Sequence, residues 1–346
     1  MRVFATLPQE DLRSAGALAR GFEADGFDGL VCSENKHDPF MPLAVAATTT
    51  STVELHTGIT IAFARSPMVI ATMGWDLAGG SQGRFVVGLG SQIKAHIERR
   101  FSVPWNAPAA RMREYVQALR AIWRSWKTGE KLAYEGAHYR FTLMTPNFTP
   151  EPIAAPAPAI TIAAVGPAMV AVAAEECDGI KLHSFATRAY LERVIMPGLA
   201  AGLAKAGRYR ARFDVAGGGF LATGPDDAMV ATRFEWVRSR VAFYGSTPAY
   251  WPVLAAHGLD DLGHELNQMT RQGRWTEMAA RVSDDVVRLF AAVGRHDEIV
   301  AALAARYTGL VDTIQTGAGD GSAQGLPPDL IQDIKRLPQM FAGYPA

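Results

Sequence analysis

The residues equipped for chemistry gather where short apolar runs end in small or polar residues. The run Phe85-Val86-Val87 passes into Gly88-Leu89-Gly90-Ser91-Gln92. Its two glycines remove side chains, and Ser91 sets a hydroxyl beside backbone N–H groups. A flat or anionic ligand can then lie close to the main chain. Ala163-Ala164-Val165-Gly166-Pro167 repeats the theme, with Pro167 suited to the first turn of a helix. A more polar cluster, Glu34-Asn35-Lys36-His37-Asp38, follows Gly29-Leu30-Val31-Cys32-Ser33. His37, and His183 at the end of another apolar run, are of the type that exchanges protons near neutrality. Asn35 can only give and accept hydrogen bonds. The plainer reading puts the glycines at tight turns and the histidines in structural hydrogen bonds.

Other chemistries lack their parts. These run ends are glycine-rich, neutral and poor in paired carboxylates, which disfavours a hydrolase working with two acids. The two cysteines, Cys32 and Cys177, lie far apart, and no His/Cys spacing of a metal site is present, so no metal is expected. Cys32 reads as a small core residue. Lys and Arg total 34, as do Asp and Glu, and this balance argues against binding to nucleic acid or a charged membrane surface. No signal segment or membrane-length apolar stretch is evident, and a cytoplasmic location is expected.

Eight runs read as strands, at residues 3–7, 29–33, 53–62, 82–92, 160–164, 179–183, 213–222 and 311–315. Helical patterns separate them, the clearest over 111–126, where Met112, Tyr115, Val116, Leu119, Ile122, Trp123 and Trp126 share one face. Residues 93–108 read as a loop and 131–141 as a hairpin. Residues 243–293 break the alternation and read as a mostly helical insertion between strands 7 and 8, either a lid or a dimer element. A final helix is expected over 327–341. Eight alternating units in 346 residues favour a single α/β domain over 1–346, a closed (β/α)8 TIM barrel whose site lies at the C-terminal strand ends. No G-x-G-x-x-G follows the first strand, which counts against a Rossmann fold. A wide, flat redox cofactor suits such a rim.

Several strings carry a family resemblance. They are Val31-Cys32-Ser33-Glu34-Asn35 with His37-Asp38-Pro39-Phe40, His56-Thr57-Gly58-Ile59, Gly83-Arg84-Phe85-Val86-Val87-Gly88-Leu89-Gly90-Ser91, and Tyr134-Glu135-Gly136-Ala137-His138-Tyr139. Glu98-Arg99-Arg100-Phe101 and Ile162-Ala163-Ala164-Val165-Gly166-Pro167 with Cys177-Asp178-Gly179 complete the set. Together they resemble the bacterial-luciferase-like flavin and deazaflavin oxidoreductases, most of all the branch using coenzyme F420. The resemblance covers most of residues 1–185 and is weak beyond 190.

It implies a hydride transfer between F420 and a small organic substrate, with an FMN-dependent monooxygenase as the alternative and a non-catalytic cofactor-binding protein as the second. It also implies a non-proline cis peptide at Gly58–Ile59. Glu34, Gly58, Ile59, Gly88, Gly90, Ser91, Gln92, Ala164, Val165 and Gly166 would surround the cofactor. Asn35, His37 and His183 would serve the chemistry. The sugar-phosphate dehydrogenases of this branch carry a His where Asn35 stands and a Glu where Ile93 stands, so that activity is not expected. A homodimer is expected.

Overall fold

The computed structural model describes residues 1–317 and 326–345. Eight parallel strands close on themselves. They are β1 (Arg2–Thr6), β2 (Gly29–Cys32), β3 (Glu54–Thr57, resumed at Thr60–Ile61), β4 (Phe85–Gly90), β5 (Ala159–Ala164), β6 (Gly179–Leu182), β7 (Asp214–Gly217) and β8 (Thr313–Thr316). Each pairs with its successor, and β8 returns to β1 through Val3 opposite Ile314. The expected (β/α)8 barrel is therefore the fold.

Apolar residues on both faces of the strands drive this closure, since helices cover the outside and side chains fill the inside. The helix Pro108–Thr128 buries the stripe read from the sequence, and Trp123 and Trp126 are almost fully enclosed. Those tryptophans are core packing, as their spacing suggested. The hairpin pairs Tyr134–Glu135 with Arg140–Phe141.

Five sequence readings need correction. The third run is not continuous: the chain turns out of the sheet at Gly58–Ile59, which is a cis peptide, and resumes at Thr60. The seventh run divides at Gly217, Gly218 and Gly219, all at positive φ (89°, 107° and 157°). This backbone is open chiefly to glycine and turns the chain off the barrel. Phe220–Gly224 then pairs in parallel with Ala291–Arg295, a strand outside the barrel. The sequence reading carried a helix through residue 293, because a short apolar run such as Ala291-Ala292-Val293 has no period of its own. The loop at 93–108 contains the helix Lys94–Arg99, and the final helix is shorter, Pro328–Lys335, ending ahead of Pro338.

The pair of outer strands brackets the insertion at 220–295, wider than the 243–293 expected. Its first helix, Asp227–Gly245, starts where the Asp226 carboxylate accepts from the Met229 N–H at 2.8 Å. The helices Trp251–Ala255, Asp260–Arg271 and Asp284–Phe290 follow.

Candidate active site

A cleft of about 800 Å³ opens at the C-terminal ends of the strands. Its floor is the top layer of barrel side chains, and the insertion forms one wall. Of the residues named from the sequence, Asn35, His37, Gly58, Ile59 and His183 line it. Glu34, Gly88, Gly90, Ser91, Gln92, Ala164, Val165 and Gly166 are not among the residues that line it.

The bulge at Gly58–Ile59 is held from both sides. The Gly58 N–H donates to the Cys32 carbonyl at 2.7 Å, and the Ser33 hydroxyl donates to the Gly58 carbonyl at 2.6 Å. The Glu34 N–H donates to the Ile59 carbonyl at 2.9 Å. Below it, the Glu34 carboxylate accepts from the Thr60 hydroxyl at 2.8 Å and from the Ile61 N–H at 2.7 Å. It also pairs with Arg65 at 2.7 Å, and Arg65 reaches on to Asp38 at 2.9 Å. Glu34 is thus fully occupied in supporting the bulge.

The glycines of β4 make room for neighbours. A Cβ on Gly90 would stand 2.5 Å from Ile59 Cδ1. A Cβ on Gly88 would overlap the Thr57 carbonyl and stand 2.7 Å from Lys181 Cε. Gly88 therefore acts in the barrel interior, where it admits a lysine stem. Ser91 donates to the Gln92 carbonyl at 3.2 Å, Gln92 lies at φ 60°, and the Val165 carbonyl accepts from the Tyr190 hydroxyl at 3.0 Å. Gly166 caps the helix Pro167–Glu176, and Ala164 is buried at the end of β5.

Asn35 and His37 are exposed at the cleft mouth, and the Asn35 carbonyl accepts from Arg100 at 2.7 Å. His183 lies deeper. Its Nδ1 accepts from the Phe185 N–H at 2.9 Å, and its ring packs 4.6 Å from Tyr244 and 4.5 Å from Tyr250, centroid to centroid. Burial pushes its pKa down to about 4.

The expectation that His183 exchanges protons near neutrality is therefore corrected. With Nδ1 accepting, the neutral ring carries its proton on Nε2 and can only donate. We expect ¹⁵N spectra of the ring to show that tautomer unchanged from pH 8 to 5.5; titration within that window would refute it. The lowered pKa also fixes a sign. The unfolded chain binds this proton first, so stability falls as pH drops from 6.5 towards 4.

The sequence reading missed Lys181, which rises from β6 into the floor. Its Nζ lies 3.3 Å from His56 Nδ1, and His56 Nε2 meets the Glu54 carboxylate at 2.8 Å. Glu54 also pairs with Arg2, which stands 3.6 Å from Asp214. Burial, against the pull of Asp214, lowers the Lys181 pKa to about 8. Burial, with Lys181 beside it, lowers that of His56 to about 3. Burial raises the Glu54 pKa, but His56 and Arg2 outweigh it and hold the carboxyl at about 2. The signal was present: a lysine inside the run Gly-Ile-Lys-Leu of a barrel strand must either face the interior or break the outer helix contact. His56 is fully buried between Lys181 and Glu54 and serves the packing of the floor.

Among the described residues no group of three His, Cys, Asp or Glu is placed to hold a metal, and no helix is long and apolar enough to cross a membrane.

Comparison with known proteins agrees with this geometry. An uncharacterised protein of Mycobacterium tuberculosis is 47% identical over 314 residues, 91% of this chain and 92% of its own. A 5,10-methylenetetrahydromethanopterin reductase of Archaeoglobus fulgidus is 29% identical over 287 residues, 80% of this chain and 81% of its own. The solved coenzyme F420 dependent tetrahydromethanopterin reductase from Methanopyrus kandleri shares the fold, with a TM-score of 0.77 at 21% identity over 97% of each chain. The model of the luciferase-like monooxygenases matches residues 2–313, and with the barrel and the rim described above the chain belongs to that family of oxidoreductases.

Proposed function

We propose that this protein transfers a hydride between coenzyme F420 and an organic substrate held in the rim cleft. The observation that carries this reading is the Gly58–Ile59 bulge. It presents the Ile59 side chain to the cleft, pinned by Ser33 and Glu34 and backed by the vacant side-chain position of Gly90. The residues present fit a flat ring system: one apolar side chain on a fixed bulge, and glycine behind it where a Cβ would displace it. The relative from Archaeoglobus fulgidus and the structure from Methanopyrus kandleri, a reductase and an F420 dependent reductase, favour the deazaflavin over FMN.

When bound, the deazaflavin supplies hydride carriage and little reactivity towards oxygen. The chain's own residues supply the rest. Ser33 and Glu34 fix the bulge, and His183 offers its Nε2 proton to an acceptor in the cleft. Lys181 holds a proton on the floor, placed to neutralise negative charge above it. Asn35 and His37 flank the entrance. The second reading, an FMN-dependent monooxygenase, is favoured by the description of the matching family.

Titrating the purified protein with F420 and with FMN, each followed by cofactor fluorescence, separates the two. We expect saturable binding of F420. Binding of FMN alone would overturn the proposal in favour of the monooxygenase. Binding of F420 without turnover of any hydride donor or acceptor would move it to a non-catalytic binding protein.

A further inference from the structure

Cations outnumber acids along the lining of the cleft. Among the described residues that line it, Glu10 is the single acid and lies exposed at the mouth, against Lys36, Lys181 and Arg240. Arg240 is the unusual one. It sits on the insertion helix Asp227–Gly245, where Trp236, Arg240 and Tyr244 recur every fourth residue and so share the face that lines the cleft. Its guanidinium lies 5.3 Å from the centre of the Trp236 ring. Its Nε is buried with no hydrogen-bond partner among the described residues. A buried donor without an acceptor is costly to keep, and one beside a ligand-sized cleft calls for an oxygen that the described residues do not supply.

The barrel order says which ligand. The insertion leaves the barrel after β7, and β7 is four strands from β3 in either direction around the ring. Arg240 therefore reaches the cleft from the side opposite the Gly58–Ile59 bulge. A ring system resting on the bulge leaves the space beneath Arg240 to the second reactant. Aromatic faces from Trp236, Tyr244 and Phe220 surround that space.

We propose that the substrate is a flat, apolar acid whose carboxylate is received by Arg240 while its hydrocarbon part lies against Trp236 and Tyr244. This rests on the hydride-transfer reading of the cleft and names the substrate class for it. A planar guanidinium grips a carboxylate through two parallel hydrogen bonds, which a neutral amide of the same shape cannot reproduce.

The test compares benzoate with benzamide by calorimetry on the intact protein, with and without F420, in wild type, R240K and R240M. In wild type benzoate should bind at least about tenfold more tightly than benzamide, as expected of a charge-assisted pair. R240M should abolish that preference and R240K retain part of it. The F420 affinity of both variants should stay within about twofold of wild type, as expected if the guanidinium makes no contact with the coenzyme. Equal binding of the two probes by wild type overturns the proposal, as does an unchanged preference in R240M. A large loss of F420 affinity in both variants would also overturn it, because the guanidinium would then serve the cofactor. If F420 fails to bind wild type while the benzoate preference holds without it, the hydride-transfer reading falls and the acid site stands. R240K, which keeps the charge, guards against a variant that merely misfolds.

Discussion

Glu34→Ala is expected to destabilise the protein by about 3 kcal/mol and to weaken cofactor binding by about tenfold. The carboxylate is only 8% exposed and serves three groups at once: the Thr60 hydroxyl, the Ile61 N–H and the Arg65 guanidinium. Removing it leaves Arg65 short of its main partner and strips two acceptors from the strand segment that follows the bulge. Breaking one side of a largely enclosed ion pair costs more than the pair contributes, because the remaining charge stays desolvated.

The double variant Glu34→Ala, Arg65→Ala should recover part of the lost stability, as expected for coupled neighbours. It should not recover the affinity, since the bulge remains unsupported. Urea unfolding gives the first quantity and fluorescence titration with F420 the second. A stability change below about 1 kcal/mol, the range of an exposed pair, would show that Glu34 does not support the bulge as described.

Lys181→Met is expected to make the protein more stable at pH 7 while impairing its function. The Lys181 pKa falls from 10.5 to about 8 in the folded chain, a difference worth about 3 kcal/mol. Below pH 8 the folded and unfolded states both carry the proton, and the folded state bears the full penalty of a buried charge. Between pH 8 and 10.5 the folded state has released this proton and the unfolded state has not, so the contribution of Lys181 to wild-type stability rises with pH across that window.

Methionine removes the charge and fills a similar volume, but it leaves His56 Nδ1 without a donor, which costs about 1 kcal/mol. The net gain at pH 7 should therefore be about 2 kcal/mol, shrinking to nothing near about pH 9.5 and turning into a loss of about 1 kcal/mol by pH 10.5. The groups facing the amine are His56, Glu54, Arg2 and Asp214. Burial raises the pKa of the Cys32 and Cys177 thiols, which pulls stability down above pH 9, so the difference between variant and wild type, rather than the wild-type slope, isolates Lys181. Unfolding curves from pH 6 to 10.5 measure this directly. A variant less stable than wild type at pH 7 would mean that the amine is a structural bond of the barrel. A stabilised variant with weakened ligand binding would mean the charge is kept for function at the expense of stability.

The barrel was legible because its signals are local. Apolar runs of four to six residues alternate with amphipathic helices, and that rhythm survives without knowledge of any contact. The cis peptide at Gly58–Ile59 matches what the family resemblance implied, whereas the glycines of β4, expected to face a ligand, make room for Ile59 and Lys181. What failed to show depends on distance through space. Gly88 looks the same in sequence whether it faces a ligand or the stem of Lys181, and only the fold brings β6 across to β4. His183 looks like a proton carrier until two tyrosines and the Phe185 N–H enclose it. Ala291–Arg295 looks helical until Phe220–Gly224 is there to pair with it. Arg240 was hidden for a different reason: as one arginine among many on an amphipathic helix, it becomes notable only when its Nε is found buried and unanswered.

The outer pair of strands, Phe220–Gly224 beside Ala291–Arg295, has a further consequence. Because the two run in parallel, with Phe220 opposite Ala291 and Gly224 opposite Arg295, residues 225–290 leave at one end of the pair and come back at the other. The segment is a crossover rather than a loop pinched at its base. It also rests on the barrel's own loops, where the Thr187 hydroxyl meets His257 Nε2 at 2.7 Å and the Phe290 ring stacks on Phe185 at 4.3 Å between centroids. A change of substrate that recodes residues 225–290 must keep those seats while it alters the wall of the cleft.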